Sequence, residues 1–190
     1  MPPMSEGIMV ILSSPSGAGK TTFMNVLMGK LKPTSGSITI NGIDGLSFHE
    51  ILSLTGYVPQ SDIMFTDLTV KENLMHSANT RVTGSQAFKL DRVNSVLQKL
   101  GISHVQNSVI GDDRKRGLSG GERKRVSIGI DMLAEKAVML IDEPTTGLDA
   151  SAARHVGRMV VSLSKKYSRT VVCTLHQPAW SIVEGFDRVV

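Results

Sequence analysis

Ile8-Met9-Val10-Ile11-Leu12-Ser13-Ser14-Pro15-Ser16-Gly17-Ala18-Gly19-Lys20-Thr21-Thr22 is the stretch whose reading decides the fold. The five apolar residues Ile8 to Leu12 read as a short buried strand. Apolar residues at Phe23, Val26, Leu27 and Leu31 then predict a helix of about three turns. Strand, glycine loop and helix together are the context of a phosphate-binding loop. The amides of Ser16, Gly17, Ala18 and Gly19 would cradle phosphates at the start of the helix that carries Thr22. Lys20 would reach the outer phosphates and Thr21 would place its hydroxyl on Mg²⁺. The pattern's first glycine is replaced by Ser14. A merely structural glycine turn is the bland alternative, and Gly17, Gly19, Lys20 and Thr21 together argue against it.

Val138-Met139-Leu140-Ile141 predicts a second strand, short and apolar enough for a central parallel position. It ends in Asp142-Glu143, two carboxylates at the edge where open α/β sheets bind ligands. Asp142 suits a Mg²⁺ shell, and Glu143 can orient or deprotonate an attacking water. Leu118-Ser119-Gly120-Gly121-Glu122 supplies a third element. Gly120 and Gly121 bare their backbone N–H groups at the positive end of a helix dipole, and Ser119 adds a hydroxyl. In isolation this stretch would read as a Ser-capped helix start.

In their order along the chain, the phosphate loop, then Leu118 to Glu122, then the strand ending in Asp142-Glu143, the three elements resemble the nucleotide-binding domain of the ATP-binding cassette (ABC) family, over nearly the whole chain from Ile8 to Val190. Gln60 in Tyr57-Val58-Pro59-Gln60 matches the family's Q-loop, Gly147-Leu148-Asp149 its D-loop, and His176 in Thr174-Leu175-His176-Gln177-Pro178 its switch histidine. Local wording is similar to the white-type G subfamily of eukaryotic half-transporters. It includes Val70-Lys71-Glu72-Asn73-Leu74 and the run Arg116 to Gly129. The resemblance implies an α/β P-loop NTPase fold, with a mostly parallel sheet and a helical subdomain at roughly residues 65–118 carrying the signature. It implies ATP and Mg²⁺ as ligands, with Thr21, Gln60 and Asp142 around the metal. Glu143, His176 and Gln60 would be catalytic. Ser119, Gly120, Gly121, Glu122 and Asp149 would reach the nucleotide of a second domain, head to tail. It further implies a transmembrane domain as partner, work at the cytoplasmic face of a membrane, and a lipid, sterol or xenobiotic-like substrate. A soluble ABC ATPase of translation or DNA repair, or a remnant without turnover, are the other readings.

Composition agrees. The 190 residues suit one domain, and 41% hydrophobic content suits a globular one. No apolar run approaches the ~20 residues that cross a bilayer, and Met1 to Gly7 is not a signal peptide. Cys173, the single cysteine, reads as a buried unpaired thiol. The family's upstream β region, with an aromatic residue stacking on adenine, has no counterpart before Ile8. Phe186 to Val190 reads as a strand just beginning, so the expectation is a cassette incomplete at both ends.

Elsewhere, Ser37 to Ile40 followed by Asn41-Gly42 predicts a small β excursion. Thr69-Val70-Lys71-Glu72 predicts a capping box. Phe88, Val93, Val96, Leu97 and Leu100 predict the apolar face of a helix closed by Gly101. Val156, Met159, Val160 and Leu163 do so for another after Asp149. His49, His76, His104 and His155 read as surface residues. The net charge is +4, and Arg114, Lys115, Arg116, Arg123, Lys124 and Arg125 crowd around the signature. That patch serves ATP capture or is a solvated helix face. Nucleic acid is an unlikely partner, because aromatics are 4% of residues and none lies in the cluster.

Overall fold

A computed structural model describes residues 9–13, 19–40, 43–45, 47–112, 115, 117–167, 169–176 and 180–189. The first half carries β1 (Met9–Ser13), α1 (Lys20–Leu27), β2 (Thr39–Ile40), β3 (Ile43–Asp44), α2 (Phe48–Leu54) and β4 (Thr55–Val58). Three helices follow: α3 (Val70–Arg81), α4 (Gln86–Lys99) and, after a 3₁₀ turn at Ser103–Val105, α5 (Gly120–Met132). The chain then alternates through β5 (Val138–Asp142), α6 (Ala150–Tyr167), β6 (Thr170–Leu175), α7 (Trp180–Val183) and β7 (Arg188–Val189). The fold is an α/β P-loop architecture with a five-stranded sheet in the order β4-β5-β6-β1-β7, whose paired strands are all parallel. The expected excursion is the antiparallel pair β2–β3. It is shorter than the predicted strand, and Asn41-Gly42 lies outside the described residues.

Both faces of the sheet are covered, which is why β5 reads as an unbroken apolar run. Met139 and Ile141 face the main core with Val126, Ile128, Val156 and Val160. Leu140 points the other way, onto Met24 of α1 and Met28, the residue that caps it. This is the two-residue alternation of a strand, with apolar groups on both sides. The expected face of α6 is buried as written: Val156, Met159, Val160 and Leu163.

Two helix expectations need correction. α1 has eight residues, and its buried positions are Lys20 and Met24, with the cap residue Met28 continuing that row. Phe23 and Leu31, predicted to face inward, are each 47% exposed. Lys20, Met24 and Met28 recur every four residues on one face, so turning the lysine toward the sheet edge also fixes which apolar residues meet the sheet. On α4, Val93, Val96, Leu97 and Leu100 are buried but Phe88 is 49% exposed, lying over Gly84 in the α3–α4 turn. Gly101 closes that helix with a φ of 63°.

Thr69 and Glu72 form the expected capping box of α3, with Thr69 Oγ1 donating to Glu72 Oε2 at 2.7 Å. Cys173 is buried and unpaired, and burial pushes its thiol up, away from reactivity. Among the described residues, no helix is long and apolar enough to cross a membrane.

Candidate functional site

Parallel register brings the carboxyl ends of four strands to one edge. Ser13 lies beside Leu175, Asp142 beside Thr174, and Val58 beside Ile141. The residues that follow those ends are therefore neighbours. They are Lys20 and Thr21 at the start of α1, Gln60 after β4, Asp142 and Glu143 on β5, and His176 after β6. Ser16, Gly17 and Ala18 of the loop, with Gln177-Pro178, lie outside the described residues. Gly19 has a left-handed φ of 85° and caps α1.

Two carboxylates organise the edge. Asp142 is buried; Thr21 Oγ1 donates to its Oδ2 at 3.2 Å and the Tyr57 hydroxyl donates to the same oxygen at 3.4 Å. Thr174 Oγ1 donates to its other oxygen at 2.5 Å. Burial, with the Asp142 charge second, pushes the Tyr57 phenol up, so it remains a donor. Glu143 accepts from Gln60 Nε2 at 3.1 Å and from Thr146 Oγ1 at 3.0 Å on Oε2. Its Oε1 lies 3.7 Å from the ammonium of Lys20, a side chain only 7% exposed. The Glu143 backbone has a φ of 43°, a region that costs a non-glycine residue about 1–2 kcal/mol. Its amide donates to Thr174 Oγ1 at 2.9 Å, which helps hold that conformation. His176 is exposed at the same edge, and Thr22 is exposed on α1.

Oxygen donors from Thr21, Asp142 and the Gln60 carboxamide are the hard ligands that Mg²⁺ prefers. One carboxylate beside a phosphate-binding loop is also the usual protein share of such a site. The residues fit the ion.

The signature is built separately. Ser119 caps α5, and its capping box runs both ways with Glu122. Ser119 Oγ donates to Glu122, and Glu122 in turn lies against His104, rather than against the Asp142 and Glu143 group. A side chain on Gly120 would press on Leu148, and one on Gly121 on Ala152, so the loop before α6 and its first turn support the signature. Asp149 Oδ1 accepts from the amides of Ser151 and Ala152 at 2.9 and 3.0 Å, capping α6, and these bonds hold its carboxyl below the usual range. Gly117, just before the signature, lies so close to the Ile110 carbonyl that a Cβ would collide with it. Gly117→Ala should therefore lower Tm by several degrees, since overpacking against fixed backbone costs roughly 1–3 kcal/mol. An unchanged melting curve would contradict this packing.

A family model described as ABC transporter matches residues 3–146. The chain belongs to the ABC transporter family. "ABC-type transporter claG" of Penicillium crustosum is 42% identical over 183 residues, covering 95% of this chain and 24% of that protein. "ABC transporter G family member 17" of Arabidopsis thaliana is 41% identical over 97% of this chain and 28% of its own length. "Broad substrate specificity ATP-binding cassette transporter ABCG2" of Mus musculus is 39% identical, with shares of 97% and 28%. This ABC domain thus spans about a quarter of the length of these curated relatives, and the resemblance to the G subfamily holds. Among solved structures, cbiO1 of Clostridium perfringens, part of the ABC transporter complex cbiONQ, superposes with TM-score 0.78. It is 24% identical, and the match covers 92% of this chain and 69% of that one. An ATP-binding cassette described as dimeric, in a post-hydrolysis state bound to ADP and Pi, gives 0.76 at 25% identity. That match covers 98% of this chain and 82% of that one.

In this ABC domain the basic cluster of the sequence is not one patch. Lys124 is 4% exposed; its ammonium donates to the Gln60 carbonyl at 2.8 Å and lies 2.6 Å from Asp62 Oδ1. Arg125 donates to the carbonyls of Gly121, Leu100 and Gly101. Among the described residues of the cluster only Lys115 is exposed; Arg114 and Arg116 lie outside them. A lysine and an arginine one turn inside a helix face inward when carbonyls and a carboxylate wait for them, and no periodicity announces that. Thr174, Tyr57, Thr146, Asp62 and His104 were likewise missed as site residues. Thr174 alone had a signal, two residues before His176 at the strand's end.

Proposed function

We propose that this domain binds ATP with Mg²⁺ and hydrolyses it in a head-to-tail pair of cassettes. The pair drives a transmembrane domain that moves a lipid, sterol or drug-like compound across a membrane. The domain would work at the cytoplasmic face, with α3 and α4 (within roughly residues 65–118) forming the helical arm that presents the signature. The observation that carries the reading is the convergence of Lys20, Thr21, Gln60, Asp142 and Glu143 at one sheet edge. Family membership and the transporter names of the relatives support the coupling to transport.

Lys20 and the loop amides bind the outer phosphates, and Thr21, Asp142 and Gln60 would hold Mg²⁺. The ion would neutralise charge developing on the phosphate oxygens. Glu143 takes a proton from the attacking water. The water oxygen bonds to the γ-phosphorus as the bond to the leaving ADP oxygen breaks. Gln60 and Thr146 fix the carboxylate from one side, so its lone pair is aimed before the water arrives. A phosphate at Lys20 competes with Glu143 for the ammonium, and this releases the carboxylate to act as base. His176 at the edge donates to the γ-phosphate.

The signature of one domain closes over the nucleotide of its partner. The dimeric form of the solved cassette bound to ADP and Pi supports this arrangement. Ser119→Arg tests it, because a bulky side chain cannot fit where a phosphate meets bare backbone. ATP-driven dimerisation, followed by light scattering, should be lost while ATP titration of the monomer is retained. Normal dimerisation of that variant would remove the trans site.

A further inference from the structure

Ser119 has one hydroxyl proton, and it is donated to Glu122 Oε2 at 2.6 Å. The same oxygen accepts the Ser119 amide at 2.9 Å. The other carboxylate oxygen of Glu122, Oε1, lies 3.3 Å from His104 Nε2. His104 sits in the 3₁₀ turn Ser103–Val105, whose C-terminal side is tied to the first turn of α3. There the Lys71 amide donates to the Gln106 carbonyl and the Val70 amide to that of Ser108, at 2.9 and 3.1 Å. The imidazole is therefore carried by a braced turn, although the ring itself is largely exposed.

This arrangement sets two obstacles to closure of the site between two domains. The partner's γ-phosphate must take the Ser119 proton away from Glu122. A carboxylate must also come to rest close to a triphosphate, and like charges at such range repel. Both obstacles shrink when the charge on Glu122 is balanced. Arg125 contributes at longer range, but its guanidinium donates to three carbonyls. On α4, the other element packed on this turn, the Lys99 ammonium lies over the Tyr167 ring, 4.8 Å from its centroid. Among the described residues, His104 is thus the group in direct contact with Glu122 that can supply a full positive charge.

We propose that His104 is a positioning residue of the trans nucleotide site: as an imidazolium it holds Glu122 and frees the Ser119 hydroxyl for the partner's γ-phosphate. The inference rests on the head-to-tail reading above. Protonating the imidazole and closing the pair are then linked, so ATP-driven closure tightens as pH falls from 8 to 6. Glu122 remains ionised across that range, because the Ser119 hydroxyl chiefly, with the Ser119 amide, His104 and Arg125, holds its carboxyl below the usual value.

The test measures ATP-dependent dimerisation at pH 8 and pH 6 in a Glu143→Gln background, where hydrolysis does not reopen the pair. The parent should dimerise at least tenfold more tightly at pH 6, since one fully linked proton changes affinity about tenfold per pH unit and so up to about a hundredfold over this interval. His104→Gln keeps a donor without a titrating charge, so it should stay weak at both pH values. His104→Arg keeps a permanent cation and should be tight at both. Thermal melting reports separately whether each variant folds. A His104→Gln profile as steep as the parent's, or a His104→Arg variant as weak at pH 8 as the parent, would overturn the role of His104. Failure of the parent to dimerise with ATP at either pH would instead overturn the trans site, and this inference with it.

Discussion

Replacing Glu143 by glutamine should cut ATP turnover by about 10²- to 10⁴-fold, the range that general base catalysis supplies. The substitution keeps the shape of the side chain and an oxygen for the donors Gln60 and Thr146, which bond Oε2 at 3.1 and 3.0 Å. The amide nitrogen takes the place of Oε1, the atom facing the Lys20 ammonium at 3.7 Å. That nitrogen can neither accept the water's proton nor attract the lysine, so Lys20 is left to the phosphates. ATP should bind at least as well as in the parent, and the ATP-bound pair should accumulate. Phosphate release measured beside light scattering separates the two effects. Turnover at the parent rate would show that Glu143 is not the base.

Lys20→Ala should weaken ATP binding by about 10- to 150-fold, or more if several phosphate oxygens share the ammonium. A hydrogen bond to a charged group contributes about 1.5–3 kcal/mol. The lysine stem lies on the face of α1 that also buries Met24 and Met28, so truncation removes packing as well as charge. Lys20→Met retains the stem and isolates the charge. It should bind ATP as poorly as the alanine variant while melting closer to the parent. Unchanged affinity of both variants in a nucleotide titration would take this lysine out of the site.

Much of the machinery is legible from one sequence because its parts are local. A strand, a glycine loop and a lysine at the helix start lie within about fifteen residues, and backbone geometry alone makes them an anion cradle. The apolar run Val138 to Ile141 ending in Asp142-Glu143 needs only a parallel sheet to bring its carboxylates to the ligand edge. The Ser119 and Glu122 capping box is equally local, three residues apart on one turn.

What no local pattern carries is which distant side chain satisfies which group. Thr174 meets Asp142 because β6 lies beside β5 in register, and Gln60 meets Glu143 because β4 flanks β5 on the other side. Lys124 turns inward, against every expectation for a charged run, because Asp62 and the Gln60 carbonyl offer a buried ammonium its partners. His104 becomes part of the signature only because a turn after α4 is braced on α3 and brought to the start of α5. The sequence by itself determined the phosphate loop, the paired carboxylates and the helix start that wants an anion, since each depends on residues adjacent along the chain. The tertiary structure alone decided how those groups are held and charged, because burial makes an unpaired polar atom costly and only the packed sheet brings the partners within reach.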